Sequence, residues 1–412
     1  MEWLESTLGA ICDKGAGVIR TGPFGAQLHQ HDYSEEGVPV VMPKDIVSGR
    51  ISTSSIARIS DEHVARLSQH KLHAGDIVYG RRGDIGRCAL IREAEAGWLC
   101  GTGCLRIALG KGEVLPEYLF YYLSDPSVIA WIFSQAVGAT MPNLNTGILR
   151  SIPVRYPQCE AYQRHIIAIL SAYDDLIENN TRRIEILEEM ARRLYEEWFV
   201  HFRFPGYEEV YPQSSSIQAL PSGWSKKRLV DVARLTMGQS PSSEFYNDLG
   251  EGLPFHQGVT DFGALFPKNR LFCSVENRLA HKDDILFSVR APVGRINVST
   301  EKMVIGRGLS AIRENSNRQR FLLCQLRHLF AVEDLIGSGT IFNSVTKKDM
   351  ENIELVWPSE KLISSFNNLV DPLFKQIFGL FRKTANLRAQ RDLLLPKLIS
   401  GEIDVSDIPM PN

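Results

Sequence analysis

Five arginines stand on two aligned stretches of this chain, Arg81, Arg82 and Arg87 in GDIVYGRRGDIGR (75–87) and Arg290 and Arg295 in DDILFSVRAPVGR (283–295), with Arg82 matching Arg290 and Arg87 matching Arg295. A guanidinium presents a planar fork of donors that fits phosphate oxygens and the O6/N7 edge of guanine, so arginines on a turn suit an anionic or base-edge partner. The plainer alternatives are solvated surface arginines, or a pair with Asp84 that stiffens the turn. Segments expected to be loops add Gln27, His29 and Lys44 in the first half, and Gln239, His256, Gln257, Lys347 and Lys348 in the second. Those side chains pair with adenine or guanine edges or with backbone phosphates. Asn143 and Asn145 in MPNLN fit another task, hydrogen-bonding the backbone of their own turn.

Catalytic chemistry has no comparable set of residues. The sequence has no G-x-x-x-x-G-K-[ST] phosphate loop, since GKGE at 110 lacks both spacing and hydroxyl, and it has neither H-E-x-x-H nor G-x-S-x-G. The strings DPSV at 125 and DPLF at 371 are not the Asn/Asp-Pro-Pro-aromatic tetrad of an amino-group methyltransferase. Neighbouring acids such as Asp174/Asp175 and Asp283/Asp284 diverge on a helix or strand and cannot share a substrate. Seven scattered cysteines argue for reduced thiols, and the closest pair, Cys100 and Cys104, has no second pair or nearby histidine at zinc spacing. The expectation is therefore a chain without a catalytic or metal centre.

Composition is that of a folded, soluble protein: 412 residues, 44% apolar and 23% charged, long enough for at least two domains. No apolar run is long enough to cross a membrane and the N-terminus lacks a signal-type segment, so a cytoplasmic location is expected. Formal charge is −1 for residues 1–157, −5 for 158–210, +3 for 211–358 and +1 for 359–412. The acidic segment is thus expected to face protein, and the others to supply any nucleic-acid contacts.

The elements that must position these residues occur twice. EWLESTLGAI and GWSKKRLVDV open the two halves, followed by TGPFGAQLHQHDY and TMGQSPSSEFY, GVPVVMPKDI and GLPFHQGVTDFG, and the arginine-bearing pair. CGTGCLRI and IGRGLSAI share a G-x-G turn before a strand, and AVGATMPNLNTGILRSIPVRYP matches GSGTIFNSVTKKDMENIELVWP. After each half, apolar residues recur at three-four spacing, over 162–202 and 366–398, which predicts amphipathic helices; the first is about 60 Å long at 1.5 Å per residue. Pro372 suggests that the second helix starts near Asp371, and Pro396 suggests a bend. Pro/Ser-rich YEEVYPQSSSIQALPS reads as a linker.

The expected organisation is a globule at 1–157, a long helix at 158–205, a linker and second globule at 206–358, and a second long helix with a tail at 359–412. This is an α+β fold with internal pseudo-two-fold symmetry, two similar mixed α/β globules separated by long helices paired as an antiparallel coiled coil. Two like heads on a rod suit a target with two separated marks, and duplex DNA is one such target. A protein-binding scaffold of the same shape is the competing class.

TGPFGAQL, GDIVYGRRGDIGR, GATMPNLNTGIL, EILEEMARRLYEEWF and the tail RDLLLPKLISGEIDV resemble the specificity subunit of type I restriction-modification systems, and the similarity spans the chain in order. The resemblance implies a non-catalytic subunit of a DNA-modifying and DNA-cleaving complex. Its two target recognition domains each bind one half of an interrupted double-stranded DNA sequence. It also implies two modification subunits that methylate adenine with S-adenosylmethionine, and restriction subunits that hydrolyse ATP with Mg, so that no cofactor is expected on this chain. The aromatic cluster Trp198, Phe199, Phe202 and Phe204 reads either as packing against a globule or, for Trp198 and Phe199 with Leu394 and Leu398, as a docking surface for the modification subunit.

Overall fold

The computed structural model describes residues 2–82, 85–136, 143–207, 220–331, 335–336, 340–341 and 344–408. Asp84, most of the expected linker and part of the 136–157 block lie outside the described residues. The chain forms two compact units, Met1–Asn180 with Lys383–Asn412, and Thr181–Arg382.

In the first unit a four-stranded antiparallel sheet has the order Ala16–Thr21, Cys104–Gly110, Ile77–Gly80, Cys88–Leu90; in the second the order is Ala233–Met237, Leu309–Glu314, Ile285–Ser288, Ile296–Val298. Registers agree as well: Ile77 lies opposite Ile107 and Gly80 opposite Cys104, as Ile285 lies opposite Ile312 and Ser288 opposite Leu309. Each unit adds a second sheet of short strands, four in the first unit and five in the second, built around a parallel pair, Val38–Val41 with Leu99–Cys100 and Leu253–His256 with Met303–Ile305. A two-stranded antiparallel ladder joins the first and last strands of each globule, Trp3–Thr7 with Pro153–Pro157 and Ser225–Arg228 with Glu354–Trp357. The sequence repeat is therefore a structural repeat in the four-stranded sheet, the parallel pair and the closing ladder of each unit.

The arginine-bearing blocks match so well because their strands are buried on both faces. Ile77 and Tyr79 enter one core with Leu8, Ile107 and Tyr118, while Val78, between them, enters another with Val41, Ile91 and Cys100. Ile285 and Phe287 are likewise separated from Leu286. A continuous apolar run is the pattern such a strand requires, and each of these side chains contributes about 1.5–3 kcal/mol by leaving water. The corner after each strand needs glycine: Gly86 and Gly294 have φ of 100° and 90°, and a Cβ there would lie 2.9 Å from Ile129 and 3.0 Å from Phe330. Burial pushes the Cys100 thiol up to about 12, which keeps it a protonated packing group.

The first long helix covers Glu160–Tyr195 and ends in a π-helical turn, Glu196–Val200, closed by His201 N–H donating to Glu196 O at 2.9 Å. The wider turn lets the adjacent Trp198 and Phe199 both enter the core. The second helix runs from Glu360 to Ser400. It thus starts eleven residues before Asp371, and neither Pro372 nor Pro396 ends it. Phe366, Val370, Phe374 and Ile377 are buried along one face, whereas both prolines and the residues four before them, Asn368 and Asp392, lie on the exposed side. There water can take the carbonyls that proline leaves unbonded, so packing of the apolar face overrides the local penalty.

Within each unit the helices run antiparallel. In the first, Tyr162 OH donates to Asp404 at 3.3 Å and Arg391 pairs with Asp174 at 2.6 Å, with Ile166, Leu170, Leu395 and Leu398 in the same core. In the second, Tyr195 and Trp198 meet Phe366 at ring-centroid distances of 6.2 and 5.9 Å, and Ala191 shares a core with Val370 and Phe374. Among the described residues no helix is long and apolar enough to cross a membrane.

A repeated ion pair fixes the turn entering each central strand. Asp76 accepts from Arg106 Nε at 2.7 Å and from His73 N–H at 2.7 Å; Asp284 pairs with Arg313 and accepts from His281 N–H at 2.6 Å. Asp76 and Arg106 side chains are 6% and 13% exposed, so removing one partner strands the other charge away from water. Replacing Asp76 by alanine is expected to cost about 3–5 kcal/mol in denaturant unfolding, and replacing Asp76 and Arg106 together by leucine is expected to cost less than the single change. Equal or larger loss in the double variant would show that the pair itself, rather than the orphaned charge, carries the stability.

Candidate nucleic-acid interface

In the second unit the exposed residues converge on the short G-x-G turn at 306–308. The parallel strands Leu253–His256 and Met303–Ile305 end side by side, and Gly306 N–H donates to His256 O at 2.8 Å while Gly308 N–H donates to Gln257 O at 3.0 Å. Gln239 N–H donates to Ile305 O at 3.0 Å, Arg307 N–H to Ser240 Oγ at 3.2 Å, and Val289 N–H to Gly308 O at 2.9 Å. Gln239, Gln257 and Arg290 are therefore held around one turn by main-chain bonds that leave their side chains exposed. Gln257, Arg270, Arg290 and Arg307 line one open cleft of about 470 Å³, with Arg270 paired to Asp261 at 2.9 Å. The arrangement offers amide and guanidinium donors from a rigid backbone, which is what base edges and phosphates require.

The first unit repeats the scaffold. Gly101 N–H donates to Val41 O at 2.9 Å and Arg81 N–H to Gly103 O at 2.7 Å. The half-buried Arg81 spends its Nε on Leu144 O at 2.9 Å, so it braces the interface, and Arg82 beside it is exposed. Arg82 and Arg290 occupy equivalent places, bridged to Asn143 and Ser344 respectively. Asn145 caps the helix Thr146–Arg150 by accepting from Ile148 N–H at 2.8 Å. Lys44 is exposed on the turn Pro43–Asp45, with Nζ 3.3 Å from Ser55 O. Gln27 lies on the turn Gly25–Gln27, its amide oxygen accepting from Phe24 N–H at 3.3 Å, and exposed His29 stacks on His31 at 5.3 Å.

Other expected contacts fall elsewhere. Arg87 reaches Ile46 O at 3.4 Å and lines a cleft with Asp174 and Arg391 of the helices, away from the G-x-G turn. Arg295 lines a different cleft with Arg327 and Phe330. Lys347 and Lys348 are exposed on the helix Lys347–Glu351, with Lys347 3.4 Å from Glu351. Trp198 and Phe199 are each 7% exposed and pack with Phe321 and Phe366 in the second unit, while Leu398, 1% exposed, and half-buried Leu394 belong to the core of the first. These four do not form one cluster, and their first role is packing within each unit. His256 is a correction: its place among contact residues gives way to burial at 1% exposure. Sequence reasoning passed over Arg307, although the varying middle residue of the shared G-x-G turn was its signal.

Residues 2–189 and 221–363 match the family model of the type I restriction modification DNA specificity domain. The chain belongs to that family. Two relatives from Methanocaldococcus jannaschii are the MjaX specificity subunit of a type I restriction enzyme, a provisional name, and the MjaIX specificity subunit. They are 29% and 27% identical over 87% and 92% of this chain, and 85% and 89% of their own lengths are covered. The crystal structure of the type I restriction-modification S subunit from M. genitalium aligns over 97% of this chain and 96% of its own, with a TM-score of 0.57 at 18% identity, and shares the fold.

His256 gives the second unit a pH dependence. Asn269 Nδ2 donates to Glu301 at 2.8 Å, which turns its oxygen to His256 Nε2 at 3.1 Å and places the proton there. Burial holds the imidazole below its ordinary pKa, against the opposing bond to Asn269. Because the folded value is depressed, this contribution to stability is present above about pH 6.5, the unfolded value, and is lost as pH falls below it. Thermal unfolding at pH 7.5 and 5.5 is expected to show a larger acid loss for the wild type than for His256→Gln; equal losses would contradict the assignment.

Proposed function

We propose that this specificity-family chain reads a bipartite, interrupted sequence in double-stranded DNA, one half with the globule at 1–157 and the other with the globule at 206–358. The long helices set the separation and dock two modification subunits. The observation that carries this reading is the duplicated scaffold, in which each globule anchors a G-x-G turn by matching main-chain bonds at the first glycine N–H and the second glycine carbonyl and carries exposed arginine, lysine or glutamine on the adjoining turns. Two copies of one reading surface fit two half-sites, and half-site spacing on one face of the duplex is counted in turns of about 10 base pairs. Docking is supported by Ile186 and Met190, one turn apart on the first helix and 47% and 50% exposed. Restriction subunits complete the assembly in the cytoplasm. S-adenosylmethionine, ATP and Mg act on the partner subunits, which perform adenine methylation and DNA cleavage.

Sequencing of methylated bases in the host genome is expected to show a split motif with adenine methylated in both parts, and deletion of this chain is expected to abolish it while other methylation persists. Persistence of every split motif after deletion would defeat the reading.

A further inference from the structure

The two G-x-G turns are anchored alike at the first glycine N–H and the second glycine carbonyl, and have different middle residues. Gly306 and Gly308 are forced by close approach: a Cβ on either would come within 2.7 Å of Gln257 Cα or 2.6 Å of Gln257 O. The backbone on both sides of Arg307 is therefore pinned, and the side chain between is exposed. No carboxylate pairs with the Arg307 guanidinium among the described residues, and Gln257 and Arg290 share its cleft. In the first unit Thr102 stands at this place. Its hydroxyl donates to Pro23 O at 2.9 Å and also contacts Tyr33, the counterpart of Tyr246 beside Arg307. One turn thus presents an uncommitted fork of donors, the other a short hydroxyl already engaged.

We propose that Arg307, flanked by Gln257 and Arg290, reads a guanine through its O6/N7 edge in the half-target met by the second globule, whereas Thr102 leaves the first globule without such a requirement. This deepens the function proposed above and rests on it. Arginine forms the bidentate contact that separates guanine from the other bases, and discrimination by one such contact is about 5- to 150-fold. A fork on a pinned backbone loses little freedom on binding, whereas a phosphate contact at the same place would carry no base preference.

The test uses the whole complex with its modification subunits, in the host, with Arg307→Ala and Arg307→Lys introduced separately. Expected is a motif in which one guanine, in a single half, becomes any base, with the other half and the spacing unchanged. In binding to duplexes that differ only at that base, the preference for guanine is expected to fall about 5-fold or more in both variants, because lysine keeps the charge and lacks the fork. An unchanged motif with uniformly weaker binding and a salt slope smaller by about one would overturn the proposal in favour of a phosphate contact. A wild-type motif without guanine in either half, or relaxation at several positions, would overturn it too. If Arg307→Ala impairs folding, the lysine variant decides alone. A wild-type complex that methylates no split motif would instead defeat the function proposed above, and an intact motif in both variants would defeat only the assignment of Arg307.

Discussion

Burial of each helix's apolar stripe against the other helix is the interaction on which the rest depends. Neither unit completes its core without both long helices. The first needs Leu395, Leu398, Ile399 and Val405 from the end of the chain, and the second takes Ala191, Tyr195 and Trp198 from the first helix and Ile363, Phe366 and Val370 from the second. Each fully buried aliphatic or aromatic side chain contributes about 1.5–3 kcal/mol, a large share of the 5–15 kcal/mol that separates folded from unfolded domains. Helix formation is thus tied to closure of both globules, which explains how Pro372 and Pro396 remain within a helix that propensity alone would break.

The same logic places the interface. The central strands, Ile77–Gly80 and Ile285–Ser288, are buried on both faces and end at the glycine corner and the arginine that follows. Their neighbours end at the G-x-G turn. Main-chain hydrogen bonds, not side-chain contacts, hold the exposed residues there, so the scaffold is indifferent to which side chains it displays. Rigid elements below and adaptable side chains above are the arrangement in which a binding surface varies without loss of the fold.

What was legible in the sequence follows from what the residues do. GDIVYGRRGDIGR and DDILFSVRAPVGR aligned because burial on two faces and a left-handed corner restrict what each position tolerates. The helices were legible from their stripes, but their ends were not: the start at Glu360 is set by tertiary packing, and the π turn at Glu196–Val200 leaves no periodic trace. For the candidate interface, Gln239, Gln257 and Arg290 were legible as polar residues beside turns, and their convergence was not, because it depends on parallel strands paired across almost fifty residues. His256 looked like its neighbour Gln257, yet His256 is the last residue of a buried strand and Gln257 the first exposed residue beyond it. Arg87 and Arg295 shared a block with Arg82 and Arg290 but stand across a tight corner from them.

Internal duplication separates the two kinds of constraint within one polypeptide. Where the halves agree, as at Asp76 and Asp284, each paired with an arginine from the neighbouring strand, or at Gly86 and Gly294, substitution would leave a buried charge or strain the backbone, at a cost of several kcal/mol. Where they differ, as at Thr102 and Arg307, the side chain is exposed and the backbone is held by its own bonds, so the change costs within about 0.5 kcal/mol of stability. The fold is thus specified by residues that never meet a ligand, and the difference between the two surfaces by residues the fold does not need. Two such surfaces can come to differ one exposed residue at a time, with the helices unaltered.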